Sequence, residues 1–328
     1  MTTHSQATPK WLVGVDVGGT KISTLLVDND FNERGQLTVA TDLTNPDYTL
    51  TGIISAVEKT LARGGVHRDE VAAIGLGVPG QVDDQSGTVT LAANLNWYDF
   101  PAGELLSGAL GVPCFLENDV RVAALEAYRH LRHDDITSLA YVNIGTGVAA
   151  GLILEGRLYR GAHGMAGEIG HIIIEPDGLA CKCGARGCLE TRAAGPAIAR
   201  AGQEAAQQQT DSRLANHTKV TTQHVYEAAQ AGDTAALYLT RRVGRYLGQA
   251  LQALVMSYDI ERIILGGGVT RAGDAFLQPI IESWTHLRQN SPLAEALLQP
   301  NMIHLADPSR NMGAWGAAAL AEHHIKHL

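Results

Sequence analysis

Three features that would place a chain in a membrane, on a secretory route or on nucleic acid are missing from this sequence. No apolar run approaches the roughly 18 to 20 residues that a membrane-spanning helix needs. The stretch from Met1 to Lys10 is polar and lacks the apolar segment of a signal peptide. The net charge is -9, whereas a nucleic-acid-binding protein needs a basic surface. We therefore expect a cytoplasmic protein with neither a membrane nor a nucleic acid as partner.

Cysteine is scarce, with four in 328 residues. Because the cytoplasm is reducing, these thiols are not expected to pair as disulfides. Cys114 stands alone in the apolar run from Val112 to Leu116 and is interpreted as a small buried hydrophobic residue. The other three lie within one short segment. A hydrophobic content of 45% and a charged content of 18% are typical of a globular chain, and its length suffices for two domains with cores of their own.

The two commonest nucleotide-binding motifs are absent as well. The Gly-Lys-Ser/Thr spacing of a P-loop does not occur, and no glycine motif has the strand–glycine–helix context of a dinucleotide fingerprint. The absence of a short repeat excludes a solenoid. Instead, a strand–glycine turn–strand pattern occurs twice, at residues 15–20 and 142–147, which predicts two related halves. Strands that alternate with helices predict an α/β protein with mixed sheets. The composition from Ala193 to Ala206 predicts one helix.

The first glycine turn carries residue types that suit a phosphate group: Asp16, Gly18, Gly19, Thr20 and Lys21. Its glycines let backbone N–H groups approach phosphate oxygens. Thr20 adds a hydroxyl donor and Lys21 a positive charge. Asp16, at a strand end, is placed to bind a magnesium ion directly or through water. The alternative is a hairpin whose glycines only turn the chain.

The second glycine turn, made of Gly145, Thr146 and Gly147, offers the same donors without a carboxylate. Two such turns about a domain apart favour a nucleotide cleft between two lobes over a pair of plain hairpins. In a third segment, Gly267 and Gly268 end a glycine triplet that follows an apolar strand. Their small size would let an adenosine pack against the backbone.

His171, Cys181, Cys183 and Cys188 form a complete Cys₃His set for zinc. Four protein ligands leave no open coordination position, so the expected zinc is structural. The alternative is three unrelated thiols and a surface histidine. Such short spacing in a cysteine-poor chain argues against that alternative.

Two carboxylates flank the cysteine segment, Glu168 before His171 and Glu190 after Cys188. A metal that fixes this segment would also fix both carboxylates, which could then accept hydrogen bonds from sugar hydroxyls. With one ring nitrogen on zinc, His171 would keep the other as a donor. The alternative for each glutamate is a solvated surface charge.

The segment Glu117-Asn118-Asp119 ends an apolar strand and begins a predicted helix. Asp119 fits two roles from its position alone. One is a helix N-cap. The other is a general base that accepts the proton of an attacking hydroxyl, with Asn118 bound to the sugar. These two roles remain open at the level of the sequence.

Together these motifs closely resemble the ROK family (repressors, open reading frames and kinases), in its sugar-kinase branch. The resemblance runs from about Trp11 to the C-terminal helix. Its most specific part is Gly167–His171 followed by Cys181–Glu190, which is similar to the family's combined sugar and zinc signature. The segment Asp16–Lys21 resembles its first phosphate motif, and Asn118-Asp119 resembles its catalytic pair.

The resemblance implies the actin-like ATPase (ribonuclease H-like) fold, with two lobes that close over the substrates. We expect residues 1–120 and 311–328 to form the smaller lobe and residues 121–310 the larger. The resemblance also implies magnesium with ATP, zinc on His171 and the three cysteines, and a homodimer or higher homo-oligomer. It implies Asp119 as the base. The sugar-binding residues it implies are Gly80, Asn118, Asp119, Glu168, His171 and Glu190.

The expected activity is therefore that of an ATP-dependent hexose kinase, with glucose as the leading substrate. The segment Asn94–Trp97 resembles a loop of the family's glucokinases. N-acetylmannosamine kinases, fructokinases and allokinases of the same family are the alternatives. Arg121 departs from the small or polar residue that is common in those glucokinases. The family's repressors carry an N-terminal helix-turn-helix, for which this sequence leaves no room. A non-catalytic sugar sensor and a zinc-binding interaction module are the alternatives from other classes.

Overall fold

The computed structural model describes residues 11–131 and 135–326. Within these ranges the chain forms two compact units, one of residues 11–131, 160–165 and 310–326, the other of residues 135–159 and 166–309. The predicted lobe boundaries at 120 and 311 stay a prediction. The polar N-terminal stretch considered above lies outside the described residues. Among the described helices, none has the length and apolar character that crossing a membrane requires.

The strands are β1 (Trp11–Val17), β2 (Lys21–Asp28), β3 (Glu33–Ala40), β4 (Val71–Val78), β5 (Gln81–Asp83), β6 (Thr88–Ala92), β7 (Trp97–Phe100), β8 (Cys114–Asn118), β9 (Leu139–Ile144), β10 (Val148–Leu154), β11 (Arg157–Tyr159), β12 (Arg262–Gly266) and β13 (Ile303–Leu305). The α-helices are α1 (Pro46–Gly64), α2 (Ala102–Leu110), α3 (Asp119–Leu131), α4 (Glu190–Ala193), α5 (Gly195–Gln208), α6 (Thr222–Gln230), α7 (Thr234–Tyr258), α8 (Asp274–Asn290), α9 (Pro292–Leu297) and α10 (Met312–Lys326).

Each unit is built on a five-stranded sheet, and the two sheets share one topology. The first has the order β3-β2-β1-β4-β8 and the second the order β11-β10-β9-β12-β13. In each, the first two strands of the chain form an antiparallel hairpin, and the first strand also pairs in parallel with a later one. The predicted α/β class with mixed sheets is confirmed, and the shared order agrees with two related halves.

In the first unit, α10 lies directly on β1 and β4. This close approach depends on two glycines of the sheet. A Cβ on Gly14 would lie 1.9 Å from the carbonyl oxygen of Ala314, and one on Gly75 would lie 1.8 Å from that of Ala317. Real Cβ atoms do not approach backbone so closely, so only glycine fits at either position. The first turn of α10 is thereby held at the end of β1, where Asp16 lies.

The core of the second unit lies between its sheet and helices α7 and α8. Leu247, Leu251 and Leu254 repeat at helical spacing along α7 and are buried. The Trp284 side chain of α8 is fully buried, and its Nε1–H donates to the carbonyl of Gly248 at 2.9 Å. This packing supports β9 and β12, whose ends carry Gly145 and Gly267.

The helix predicted over residues 193–206 corresponds to α5, which begins and ends two residues later than predicted. The short helix α4 precedes it and is separated from it at Ala194, which has an extended backbone (φ -72°, ψ 154°). Pro196 lies in the first turn of α5, where its fixed φ suits a new helix start. Helix α8 was not predicted, because Pro279 lies inside it and proline ordinarily interrupts a helix.

Candidate active site

The turn between β1 and β2 is closed by hydrogen bonds of its own backbone. The N–H of Gly18 donates to the Lys21 carbonyl at 2.9 Å. The Thr41 hydroxyl donates to the Gly18 carbonyl at 2.7 Å, and the Thr41 N–H to the Thr20 carbonyl at 3.1 Å. The side chains of Thr20 and Lys21 are exposed. The turn is therefore fixed while its hydroxyl and ammonium groups face solvent.

Asp16 lies at the end of β1 beside the first turn of α10. Burial raises the pKa of this carboxyl, while the Lys21 charge and a hydrogen bond with the Asn311 side chain act in the opposite direction. The Asn311 Oδ1 also accepts from the Ala314 N–H at 3.2 Å, so this residue connects Asp16 to the start of α10. A cation close to Asp16 would favour its charged form. Asn311 was not predicted, although an asparagine just before a helix is a recognisable N-cap signal.

Gly313 is a second residue of this site that was not predicted. A Cβ on Gly313 would lie 2.5 Å from the Asp16 Cγ and 2.7 Å from its Oδ1. Any side chain here would displace the carboxylate. The glycine therefore defines where the Asp16 oxygens lie.

Asn118 performs the capping role that the sequence left open for Asp119. Its Oδ1 accepts from the N–H groups of Val120 at 3.0 Å and Arg121 at 3.2 Å, at the start of α3. The Asp119 Oδ1 also accepts from the Val120 N–H, at 2.9 Å. The cap of α3 therefore does not depend on Asp119 alone.

Asn118 also brings Gly80 to this turn. Its Nδ2 donates to the Gly80 carbonyl at 3.0 Å. Gly80 has a φ of 92°, and a Cβ there would lie 2.0 Å from the carbonyl oxygen of Leu91. The first unit thus places Gly80, Asn118 and Asp119 at one point, where β4 and β8 end.

The second unit gathers its predicted glycines in the same way. The N–H of Gly145 donates to the Gly147 carbonyl at 3.0 Å, which closes the turn between β9 and β10. A Cβ on Gly147 would lie 3.2 Å from the Glu190 Oε2. A Cβ on Gly267 would lie 2.4 Å from the Ile144 carbonyl oxygen and 2.7 Å from the Asn143 Oδ1. Thr146 and Gly268 are exposed.

The four predicted zinc ligands form one cluster. Their ligand atoms lie within 4.8 Å of one another. The Cys183 and Cys188 Sγ atoms are 3.7 Å apart, and the Cys181 Sγ is 3.7 Å from the His171 Nδ1. Tetrahedral zinc with ordinary bond lengths separates two sulfur ligands by about 3.8 Å and a sulfur from a nitrogen by about 3.6 Å. The donor set and its spacing therefore fit zinc.

The segment that carries the cysteines folds tightly around the cluster. The N–H of Cys181 donates to the Ala185 carbonyl at 2.8 Å, and that of Gly184 to the Cys181 carbonyl at 3.1 Å. A hydrogen bond from the backbone of Ala185 is the main influence that lowers the pKa of the Cys183 thiol, to about 7. Zinc binds the thiolate form of cysteine. The backbone of the segment thus favours the ligand form of Cys183.

Both flanking carboxylates lie beside this cluster. The Nε2 of His171 is 3.9 Å from the Glu168 Oε2, whereas its Nδ1 faces Cys181. The Glu190 Oε1 is 3.2 Å from the Cys181 Sγ. The Glu190 Oε2 would lie 3.2 Å from a Cβ placed on Gly147, so Glu190 lies between the cluster and the glycine turn. The structure thus brings Glu168, His171 and Glu190 close to one another, and their role in sugar binding stays a prediction.

Comparison with known proteins extends these observations. The profile of the ROK family matches residues 12–324. A glucokinase from Halalkalibacterium halodurans is 35% identical over 83% of this chain and 84% of its own. The crystal structure of the ROK hexokinase from Thermus thermophilus superposes with a TM-score of 0.81 at 32% identity, over 97% of this chain and 100% of its own.

A second solved structure is that of a ROK family glucokinase from Streptomyces griseus in complex with glucose and AMPPNP. It matches with a TM-score of 0.75 at 31% identity, over 95% of this chain and 99% of its own. The predicted actin-like ATPase fold is confirmed by these matches.

Proposed function

This chain belongs to the ROK family, and we propose that it is an ATP-dependent hexose kinase that converts glucose and ATP to glucose 6-phosphate and ADP. One observation of the chain itself carries the proposal most directly. Asp119 lies in a turn that Asn118 and Gly80 hold in place, as a base for an attacking hydroxyl requires. A non-catalytic sugar sensor would not need that carboxylate or the Asp16 turn.

Magnesium-ATP is proposed to use the glycine turns. When bound, magnesium neutralises charge on the phosphate oxygens. The Asp16 carboxylate would hold it, while Gly18, Gly19, Thr20 and Lys21 bind phosphate oxygens through backbone N–H groups, a hydroxyl and an ammonium group. Gly145, Thr146 and Gly147 supply similar donors in the second unit. Gly267 and Gly268 leave the backbone open for the adenosine.

The hexose is proposed to bind Gly80, Asn118 and Asp119 of the first unit and Glu168, His171 and Glu190 of the second. Asp119 accepts the proton of the 6-hydroxyl as that oxygen attacks the γ-phosphorus. Phosphoryl transfer requires little covalent chemistry of a protein. Most of the rate enhancement therefore comes from alignment of the attacking and leaving oxygens and from stabilisation of the phosphoryl charge. The carboxylates of Glu168 and Glu190 accept hydrogen bonds from sugar hydroxyls, and the His171 Nε2–H donates one.

A structural zinc is proposed to hold the sugar-binding residues of the second unit, Glu168, His171 and Glu190, in place. Its ligands would be His171, Cys181, Cys183 and Cys188. The sulfur and nitrogen spacing of the cluster supports zinc. All four ligands come from the protein, so the ion would keep no position for substrate. A homodimer or a higher homo-oligomer is proposed from the family resemblance.

The proposal is tested by measuring ADP release from magnesium-ATP with a panel of sugars. The panel contains glucose, mannose, fructose, allose, N-acetylglucosamine and N-acetylmannosamine. We expect the highest kcat/KM with glucose, and the Asp119→Asn variant prepared in parallel gives the background of contaminating kinases. A higher kcat/KM with N-acetylmannosamine, fructose or allose than with glucose would identify that sugar as the substrate instead. Hexose binding without turnover, in protein shown to contain zinc, would replace the kinase by a sugar sensor.

Gly313→Ala is expected to weaken use of magnesium-ATP. The new methyl group would meet the Asp16 carboxylate at 2.5 Å and displace it. A displacement of this kind is expected to raise the KM for magnesium-ATP by about tenfold or more, because a misplacement of 1 Å can cost 10²-fold. Gly108→Ala is the matched control, since Gly108 lies in α2 and a Cβ there meets nothing within 4 Å. Equal KM values in the two variants would exclude the proposed role of Asp16.

A further inference from the structure

Glu117 is a buried carboxylate that the proposed reaction does not use. Its side chain has no exposed surface. The Oε1 accepts from the Asn118 N–H at 2.8 Å and from the Arg121 Nη1 at 3.1 Å, and the Oε2 accepts from the Arg160 Nε at 2.6 Å. A buried charge is costly unless it is paired and hydrogen-bonded. Both oxygens of Glu117 meet that condition, and its partners come from two separate parts of the chain.

Arg121 links these two parts. It is 5% exposed, and while its Nη1 binds Glu117, its Nη2 donates to the Gly164 carbonyl. Arg160 binds Glu117 from the other side and also pairs with Asp84 at 3.3 Å. Residues 160–165 group with the first unit although the residues before and after them belong to the second. The two arginines hold this segment near its two ends.

Both ends of this network lead to proposed sugar-binding residues. Glu117 immediately precedes Asn118 and Asp119, and its Oε1 holds the N–H of Asn118. Gly164 lies four residues before Glu168. A guanidinium group reaches two acceptors at once because it is planar and carries five N–H donors, whereas an ammonium group is a point charge. Arginine is therefore suited to hold both parts at a fixed separation.

We propose that Arg121 is a positioning residue for the hexose. It sets the turn that carries Asn118 and Asp119 relative to the segment that leads into Glu168. This inference rests on the proposed hexose kinase activity. The competing explanation is a buried ion pair that only stabilises α3, as in many proteins. The two explanations differ in which kinetic constant they change.

Arg121→Met removes the guanidinium group while it keeps much of the side-chain volume. We expect kcat/KM for the hexose to fall by about 100-fold and the KM for magnesium-ATP to stay within about twofold, because misplacement of one substrate affects that substrate's constants. Arg129→Met is the matched control. Arg129 lies on the same helix and binds the fully buried Glu126 at 2.9 and 3.1 Å. Arg129→Met should lower the melting temperature without a selective change in kcat/KM for the hexose.

Arg121→Lys serves as the conservative variant and carries the test if Arg121→Met does not fold. Lysine can pair with Glu117 but cannot also reach Gly164 in the same geometry, so we expect an intermediate loss of about tenfold in hexose kcat/KM. Equal hexose constants in the Arg121 and Arg129 variants, or an unchanged constant in Arg121→Lys, would overturn the inference. These results require an active unsubstituted protein. If that protein phosphorylates no hexose, the proposed function itself is wrong.

Discussion

Asp119→Asn is expected to lower kcat by about 10³-fold or more while the dissociation constant for the hexose stays within a few-fold. The substitution removes the group that accepts a proton and preserves its size and hydrogen-bonding shape. Turnover is measured as ADP release, and hexose binding by calorimetry without ATP. A variant with a near-normal rate would exclude Asp119 as the base.

This variant also separates the two roles that the sequence left open for Asp119. Asparagine is as good an N-cap as aspartate, so a residue that only caps α3 would tolerate the change. Asn118→Ala is the complementary variant, because the Asn118 Oδ1 accepts two N–H groups at the start of that helix. It should cost about 1 kcal/mol of stability, which Asp119→Asn should not. A near-normal rate in Asp119→Asn, together with loss of stability but little loss of rate in Asn118→Ala, would assign both residues to capping.

Cys183→Ser is expected to reduce bound zinc from about one ion per chain to nearly none, because three ligands and a weak hydroxyl hold zinc poorly. Hexose kcat/KM should fall by about 100-fold, since even partners of zinc ligands are worth 10 to 100-fold. Zinc is measured by elemental analysis of the purified protein. Cys114→Ser is the matched control, because that cysteine lies on β8 outside the cluster.

The effect on the hexose follows from the contacts of the cluster. The Glu190 Oε1 lies 3.2 Å from the Cys181 Sγ, and the His171 Nδ1 lies 3.7 Å from the same atom. Without the metal, these two proposed sugar ligands lose the ion that would fix them. A chelator that removes the zinc should lower hexose kcat/KM in the unsubstituted protein. It should lower it to the same extent in the Cys114→Ser control. Full activity in metal-free protein would exclude a structural zinc.

The sequence was sufficient wherever the members of a site lie close together along the chain. The three cysteines fall within eight residues, and the Asp16 turn within six, so residue type and spacing alone identify them. The strands were also recognisable, because β4 and β9 are runs of buried apolar residues. Local chemistry therefore predicted the α/β class, the two glycine turns and the clustering of His171 with the three cysteines, while zinc itself stays a prediction.

Residues that reach the site from far along the chain could not be predicted. Asn311 and Gly313 contact Asp16 across almost 300 residues, and only the position of α10 on the sheet brings them there. The hydrogen bond from Arg121 to the Gly164 carbonyl could not be predicted for the same reason, since no residue near Gly164 indicates that its carbonyl accepts a hydrogen bond. Residue spacing carries no information about contacts that the tertiary fold creates.

The packing of α10 also constrains the order in which the chain can fold as it leaves the ribosome. The sheet face formed by Leu12, Val27 and Ala73 is covered by Ala314 and Ala318 of that helix. Vectorial synthesis delivers β1 some 300 residues before α10, so this face stays uncovered until α10 has been made. All residues of the second unit emerge before α10. Synthesis of the first unit thus begins before that of the second and ends after it, and this apolar face of its sheet is exposed in the interval.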